Sequence, residues 1–428
     1  MKIYCSGIGG IGLSAYASLQ NAAGHEILGS DRSDSELLND LRSQGITVNL
    51  NQDGSNISED IDLFVYSEAI PKDALERMAA TKFDIPQKSY ANALGDLSKD
   101  SFVIAVCGTH GKSSTVAMAS KVLTECGIDP TVVVGTKLKE FDGKNWRHGD
   151  SNIFLLEACE YRRSFHNLSP DIILMTNVDG DHFDAFSDID EYREAFNIFL
   201  KSLPEDGIVI THMEDLQCKK LVEGIDRKII DADAYPLIDL STPGRHMQEN
   251  GQLVLALSDH LSINTTEYTS SLSGYSGCWR RMEQKGLING SIPVIDDYGH
   301  HPKEVKATLD ALKGSYPDNR IVCVFQPHTH ERTLHFYDEF ISSFKNADIV
   351  LLSSVYEARK DIERDVVDIN DFASDICKTS NTICEVVGDL DSAYEHLNKD
   401  FLKEGDVLLC LGAGTITNLA SRLVKERS

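Results

Sequence analysis

Two glycine-rich turns and a few strand ends crowded with acids and histidines are the parts of this 428-residue chain equipped for chemistry. Gly108, Thr109, His110, Gly111, Lys112, Ser113 and Ser114 stand between the apolar run FVIAVC and a helical pattern. A phosphate loop needs glycines so that successive N–H groups converge, a lysine for the β/γ oxygens and a hydroxyl for Mg²⁺. All three are present, although Val106 stands where the first glycine of the full G-x-x-x-x-G-K-[ST] pattern falls. A ligand-free G-K-S turn is the competing reading. Glu157 and Glu160 follow NIFLLEA, and Asp179, Asp181 and His182 follow DIILMTNV. Ligands of open parallel sheets bind beyond the carboxyl ends of strands, so these groups should face the phosphate loop. Glu157 and His182 suit a divalent metal beside a triphosphate. For Glu160 and Asp179 a solvated surface cluster is the plain alternative.

The other turn, Gly7, Gly9 and Gly12, has the G-x-G-x-x-G spacing directly after a first strand, which brings a diphosphate to a helix N-terminus. Asp31 ends the next strand, where it can accept from a ribose hydroxyl. NAD, FAD and a UDP-sugar all fit, and so does a tight turn with no ligand. Late in the chain, DDYGHHP (296–302) and QPHTHER (326–332) are read as two adjacent strand ends. Their His, Tyr and Arg suit recognition of a small zwitterion or closure over a nucleotide. A transition metal on His300 and His301 lacks a third ligand at metal spacing.

Positioning these groups takes alternating strands and helices, hence an α/β fold with parallel sheets. Length beyond roughly 250–300 residues requires more than one domain. The pattern predicts three: a Rossmann-like domain over 1–98, a central P-loop α/β domain over 99–276 and a Rossmann-like C-terminal α/β domain over 277–428. Helices are expected over about 13–23, 37–44, 114–125 and 191–203. Gly95–Ser101 reads as a linker, and Asp231–Ser273 carries no clear periodicity.

A formal net charge of −26 without any Lys/Arg stripe argues against a nucleic-acid partner, while placed backbone N–H groups still allow small anions. The ten cysteines show no CxxC or zinc spacing and read as reduced thiols. Glycines interrupt the first apolar run, against a signal peptide, and no long apolar run suggests a membrane partner. A cytoplasmic protein, monomer or homodimer, is expected.

Assembled in order, these motifs resemble the muramyl ligase family over nearly the whole chain, most closely its alanine-adding branch. GIGGIG, with Gly10 inside it, is similar to that family's UDP-muramate loop, GTHGKSS to its ATP loop, and EACEYRRSF with TNVDGDH to its metal-binding strand ends. TPGRH followed by Asn250 resembles the adenine-side helix. CWRRME, DDYGHHPKE and FQPHTHERT resemble the hinge and amino-acid domain. The resemblance implies an ATP-dependent ligase in peptidoglycan synthesis, joining the carboxylate of UDP-N-acetylmuramate to L-alanine through an acyl phosphate. It gives Lys112 the transferring phosphate, Ser113 one Mg²⁺, and Glu157 and His182 a second. Asn250 and Asp297 would touch ATP, Arg281 the transferring group, and Tyr298, His300, His328 and Arg332 the amino acid. Met247 stands where the family usually has an adenine-contacting Asn, and Thr329 where many relatives have Arg. No lysine occurs over 184–200, where other branches carry a carbamylated one, in keeping with the alanine-adding branch. Three alternatives stand beside this reading: a peptide-recycling ligase of the same family, a nicotinamide-dependent oxidoreductase and a non-catalytic nucleotide-binding regulator.

Overall fold

The computed structural model describes residues 1–181, 185–357, 366–399 and 401–427. The chain is α/β, as its pattern requires, with three largely parallel sheets. By compactness it divides into one unit of 1–238 with 249–274 and another of 239–248 with 275–428.

The first unit holds two sheets. Strands β1 (Lys2–Ser6), β2 (Glu26–Ser30), β3 (Thr47–Asn49), β4 (Leu63–Tyr66) and β5 (Gln87–Ser89) pair in the order β3-β2-β1-β4-β5, all parallel. The order reverses beside β1, so the turn after β1 opens at the switch point where α/β sheets bind ligands. Seven strands make the second sheet: β6 (Phe102–Cys107), β7 (Thr131–Leu138), β8 (Lys144–Arg147), β9 (Ile153–Glu157), β10 (Ile172–Met175), β11 (Ile208–Thr211) and β12 (Lys228–Asp231). Their order is β12-β11-β10-β6-β9-β7-β8, parallel except for the edge hairpin β7–β8. β10 is buried at every residue and β6 at all but its first, as helices covering both faces of a parallel sheet demand.

The expected linker at Gly95–Ser101 is not one. Helix Tyr90–Ser98 runs through its first half, with Ala91, Ala93 and Leu94 buried. A Cβ at Gly95 would strike the carbonyl of Asn167, so glycine here permits close helix packing rather than chain flexibility. The unassigned stretch 231–273 contains helices Arg245–His260 and Thr265–Ser273, the latter capped by Asn264.

The second unit holds β13 (Glu283–Ile288), β14 (Ile292–Asp297), β15 (Arg320–Phe325), β16 (Ile349–Ser353), β17 (Ile383–Gly388) and β18 (Asp406–Leu411). The order is β13-β14-β18-β15-β16-β17, with β13 antiparallel at the edge. The two His-rich strand ends are therefore not adjacent: β18, buried along its length, runs between β14 and β15.

Candidate active site

The turn after β6, the central strand of the second sheet, has the backbone that a phosphate loop requires. Gly108 (φ 136°) and Gly111 (φ 82°) adopt backbone that favours glycine, and Gly111 caps helix Lys112–Glu125. A Cβ on Gly108 would run into Thr176 Oγ1. Asn177 fixes the loop from the end of β10, accepting from His110 N (2.9 Å) and donating to His110 O (3.1 Å). Thr109 Oγ1 accepts from Asp179 N (2.9 Å) and pairs with the buried Tyr192 hydroxyl (2.9 Å). Ser114 is buried in the first helical turn.

Lys112 folds back over this loop, donating to Gly108 O (2.5 Å) and Thr109 O (3.1 Å) and pairing with Glu160 at 2.9 Å. Burial opposes its charge, but Glu160, with Cys159 and Glu157 adding to it, holds the ammonium pKa above the ordinary lysine value. Glu160 is thus no solvated surface acid: it is 1 % exposed. Asp179 is half-buried, its carboxylate 3.8 Å from His110. Tyr192 reaches the same glutamate at 3.5 Å, and burial followed by Glu160 raises its pKa. Neither the Tyr192–Thr109 link nor the hold of Asn177 on the loop was legible: an aromatic on an amphipathic helix and an Asn after a strand carry no signal of their own.

Ser113 Oγ donates to Glu157 Oε2 (2.8 Å), which also accepts from Gly135 N (2.9 Å). A Cβ on Gly135 would meet the same carboxylate at 2.7 Å, so the glycine makes room for it. A hydroxyl and a carboxylate oxygen converging beside a phosphate loop are hard donors of the kind Mg²⁺ takes alongside phosphate and water. Among the described residues no three His, Cys, Asp or Glu side chains group as a metal site. His182 lies outside the described residues. Asn250 is buried in helix Arg245–His260, and its amide packs where a Cβ of Gly111 would fall. Met247 is buried in the same helix.

The turn after β1 is the second candidate. Gly7 is left-handed (φ 79°), and Gly10 N donates to Gly7 O (3.1 Å). Helix Ile11–Ala22 follows with no side-chain cap, leaving its N-terminal N–H groups to an anion. Asp31 accepts from Gly9 N (2.9 Å), so one of its oxygens braces the loop. A Cβ on Gly12 would hit the Tyr90 ring at 2.7 Å, which makes Gly12 a packing glycine. Beneath the loop, buried Glu76 collects the hydroxyls of Tyr4 (2.7 Å), Ser6 (2.5 Å) and Ser30 (2.8 Å), a knot with no motif in the sequence.

In the second unit Tyr298, His300, His328 and Arg332 come together. The rings of Tyr298 and His300 lie 5.2 Å apart and those of His300 and His328 5.6 Å apart. Arg332 Nη1 donates to His328 Nδ1 (2.9 Å). Tyr356, whose ring lies 5.7 Å from that of His328, packs closely on the segment after β18: a Cβ on Gly414 would strike Gln326 Oε1 at 2.5 Å and the Tyr356 ring at 2.6 Å. Thr329 (φ 64°) caps helix His330–His335, its hydroxyl accepting from Arg332 N (3.3 Å). Arg281 lies over the Tyr298 ring (5.0 Å) and 3.8 Å from Glu304, which accepts from His300 N (2.9 Å) at the start of helix Pro302–Ser315. Asp297 is buried and accepts from Met282 N (2.7 Å) and Gly299 N (2.8 Å), so it pins the segment carrying Arg281. Burial raises its pKa, against the pull of Arg281.

A lysine with a buried counter-ion, a serine–carboxylate pair and a glycine-built turn at a sheet's switch point define a class: α/β proteins that bind the terminal phosphates of a nucleotide. The chain belongs to the Mur ligase family. It matches the family's catalytic domain over residues 2–102, the Mur ligase middle domain over 106–236 and the Mur ligase glutamate ligase domain over 280–414. It is 37 % identical to the UDP-N-acetylmuramate–L-alanine ligase of Clostridium kluyveri, covering 97 % of this chain and 96 % of that one. The enzyme of the same name from Clostridium perfringens is 34 % identical over 99 % and 98 % of the two chains. The crystal structure of the UDP-N-acetylmuramate-alanine ligase of Thermotoga maritima superposes with TM-score 0.82 at 26 % identity, covering 100 % and 99 %. No helix among the described residues is long and apolar enough to cross a membrane.

Proposed function

We infer that this chain is an ATP-dependent ligase that forms an amide between the lactyl carboxylate of UDP-N-acetylmuramate and the amine of L-alanine, in peptidoglycan precursor synthesis. The observation that carries the reading is Lys112 held over a glycine loop by Glu160, with Ser113 and Glu157 paired beside it. The likeness to the clostridial ligases supports the choice of substrates.

The loop N–H groups and Lys112 take the β/γ phosphates of ATP, drawing off negative charge as the γ-phosphoryl leaves. Ser113 would hold one Mg²⁺ and Glu157, with His182, a second, and the chemistry the two would supply is charge neutralisation on the phosphates. The sugar carboxylate attacks the γ-phosphorus, ADP leaves, and an acyl phosphate forms. The amine of alanine adds to that carbonyl, loses a proton and expels phosphate. The Gly7–Gly12 turn with Asp31 binds the UDP-sugar. Asn250 and Asp297 serve ATP, Arg281 the transferring group, and Tyr298, His300, His328 and Arg332 the amino acid. The three domains we assign to these tasks span 1–98, 99–276 and 277–428.

Phosphate release from ATP by the purified chain, with Mg²⁺ and UDP-N-acetylmuramate, tests this against each amino acid in turn. Release that needs both the sugar nucleotide and L-alanine is the expected result. Release with a preformed peptide and not with alanine moves the chain to the recycling reaction.

A further inference from the structure

Between Glu160 and helix Ile189–Lys201 the backbone does something costly. Arg162 (φ 50°, ψ 29°) and Arg163 (φ 57°, ψ 30°) are consecutive non-glycine residues in left-handed conformation. Each holds backbone strain that persists only where the surroundings over-determine it. Those surroundings are visible for Arg163, which pairs with Glu191 at 2.5 Å and lies 5.2 Å over Phe186. Its N–H also donates to Glu160 O (2.8 Å), tying the kink to the lysine's counter-ion.

The kink's product is the placement of Arg162. That side chain is exposed, lies 5.4 Å over the Tyr161 ring and donates from Nη1 to Glu68 O (3.1 Å). Glu68 follows Ser67, whose Cβ sits 2.9 Å from where a Cβ of Gly7 would be. The guanidinium therefore leaves the strand end bearing Glu157 and arrives beside the glycine turn at the end of β1. One of its five N–H donors meets Glu68. The rest remain for an anion, with no buried carboxylate to outbid.

We propose that Arg162 binds an anionic oxygen of the sugar nucleotide, on its diphosphate or its carboxylate, and so fixes that substrate between the Gly7–Gly12 turn and Glu157. The proposal rests on the functional reading above. Arginine suits the task because its planar fork meets a phosphate or carboxylate through two hydrogen bonds.

Arg162→Gly tests it without endangering the fold, since glycine relieves the left-handed strain. Calorimetric affinities of the wild-type chain and this variant for UDP-N-acetylmuramate, UDP-N-acetylglucosamine, UDP and ATP provide the readout. The expected result is about 10- to 100-fold weaker UDP-N-acetylmuramate binding, the scale of a lost charge-assisted hydrogen bond, with ATP affinity unchanged. Equal weakening for UDP and UDP-N-acetylglucosamine assigns the contact to the diphosphate; weakening confined to UDP-N-acetylmuramate assigns it to the carboxylate. Arg162→Lys should recover only part of the loss. UDP-N-acetylmuramate affinity within twofold of wild type, whatever happens to the unfolding midpoint, overturns the proposal and leaves Arg162 a structural tie to Glu68. A wild-type chain that binds ATP but no UDP-N-acetylmuramate overturns the substrate reading and this inference with it.

Discussion

Glu160→Gln isolates what holds the phosphate loop in its nucleotide-free form. The wild-type ion pair, 2.9 Å long with Lys112 11 % and Glu160 1 % exposed, has a gross Coulomb energy of about 6 kcal/mol at an effective dielectric near 20. Glutamine keeps the shape and removes the charge. Lys112 retains Gly108 O and Thr109 O as acceptors, so the ammonium is not stranded entirely. Losing one partner of a buried pair costs about 3–5 kcal/mol, and the two carbonyls place this case near the lower figure. At about 2–4 °C per kcal/mol, the first unit's melting temperature should fall by about 6–12 °C without nucleotide. ATP brings its own negative charge to Lys112, so it should stabilise the variant by more than it stabilises wild type. Thermal unfolding over a series of ATP concentrations reads both numbers. A nucleotide-free variant within about 1 kcal/mol of wild type, or equal ATP-induced shifts in the two proteins, would refute Glu160 as the counter-ion that ATP relieves.

Two further tests address other links. Asp296 is buried at 3.8 Å from Arg280, and desolvation, partly offset by Arg280 and by Thr417, pushes its pKa from 3.8 up to about 6. As pH rises through that window the unfolded chain releases the proton before the folded chain does, so stability is lost. Wild type should lose about 3 kcal/mol relative to Asp296→Asn between pH 3.5 and 7, and parallel stability–pH curves for the two would contradict the assignment. Gly111→Ala meets both a left-handed φ of 82° and the Asn250 amide, and should cost about 2–3 kcal/mol in denaturant unfolding. Adding Asn250→Ala should remove the steric part of the Gly111→Ala penalty and leave about 1 kcal/mol of backbone strain; strict additivity of the two changes would show that the residues do not touch.

What the sequence disclosed and what it hid divide along a physical line. Both glycine turns were legible because a phosphate loop dictates residue types at fixed spacing, and Gly108, Gly111, Lys112 and Ser113 have no cheap substitutes there. Helix starts missed by two residues or so, as at Lys112 and Ile189, because the first turn bears the cap and not the apolar period. Edge strands β8 and β13 left no trace, since half-exposed strands lack the continuous apolar run of buried parallel ones. Glu160 was ambiguous for a different reason. A carboxylate three residues beyond a strand end points to solvent or to the loop depending on how the chain leaves, and no periodicity forecasts two left-handed arginines. Thr329 makes the same case in the other direction. The resemblance leads one to expect an arginine there; in the fold Thr329 is an N-cap whose hydroxyl takes the Arg332 N–H, while Arg332 meets His328. What Thr329 supplies is a helix start whose cap holds the backbone of the neighbouring Arg332. On these grounds Thr329→Arg, which discards the cap, should not simply restore a stronger grip on a carboxylate: the charge it adds comes at the expense of the backbone that aims Arg332.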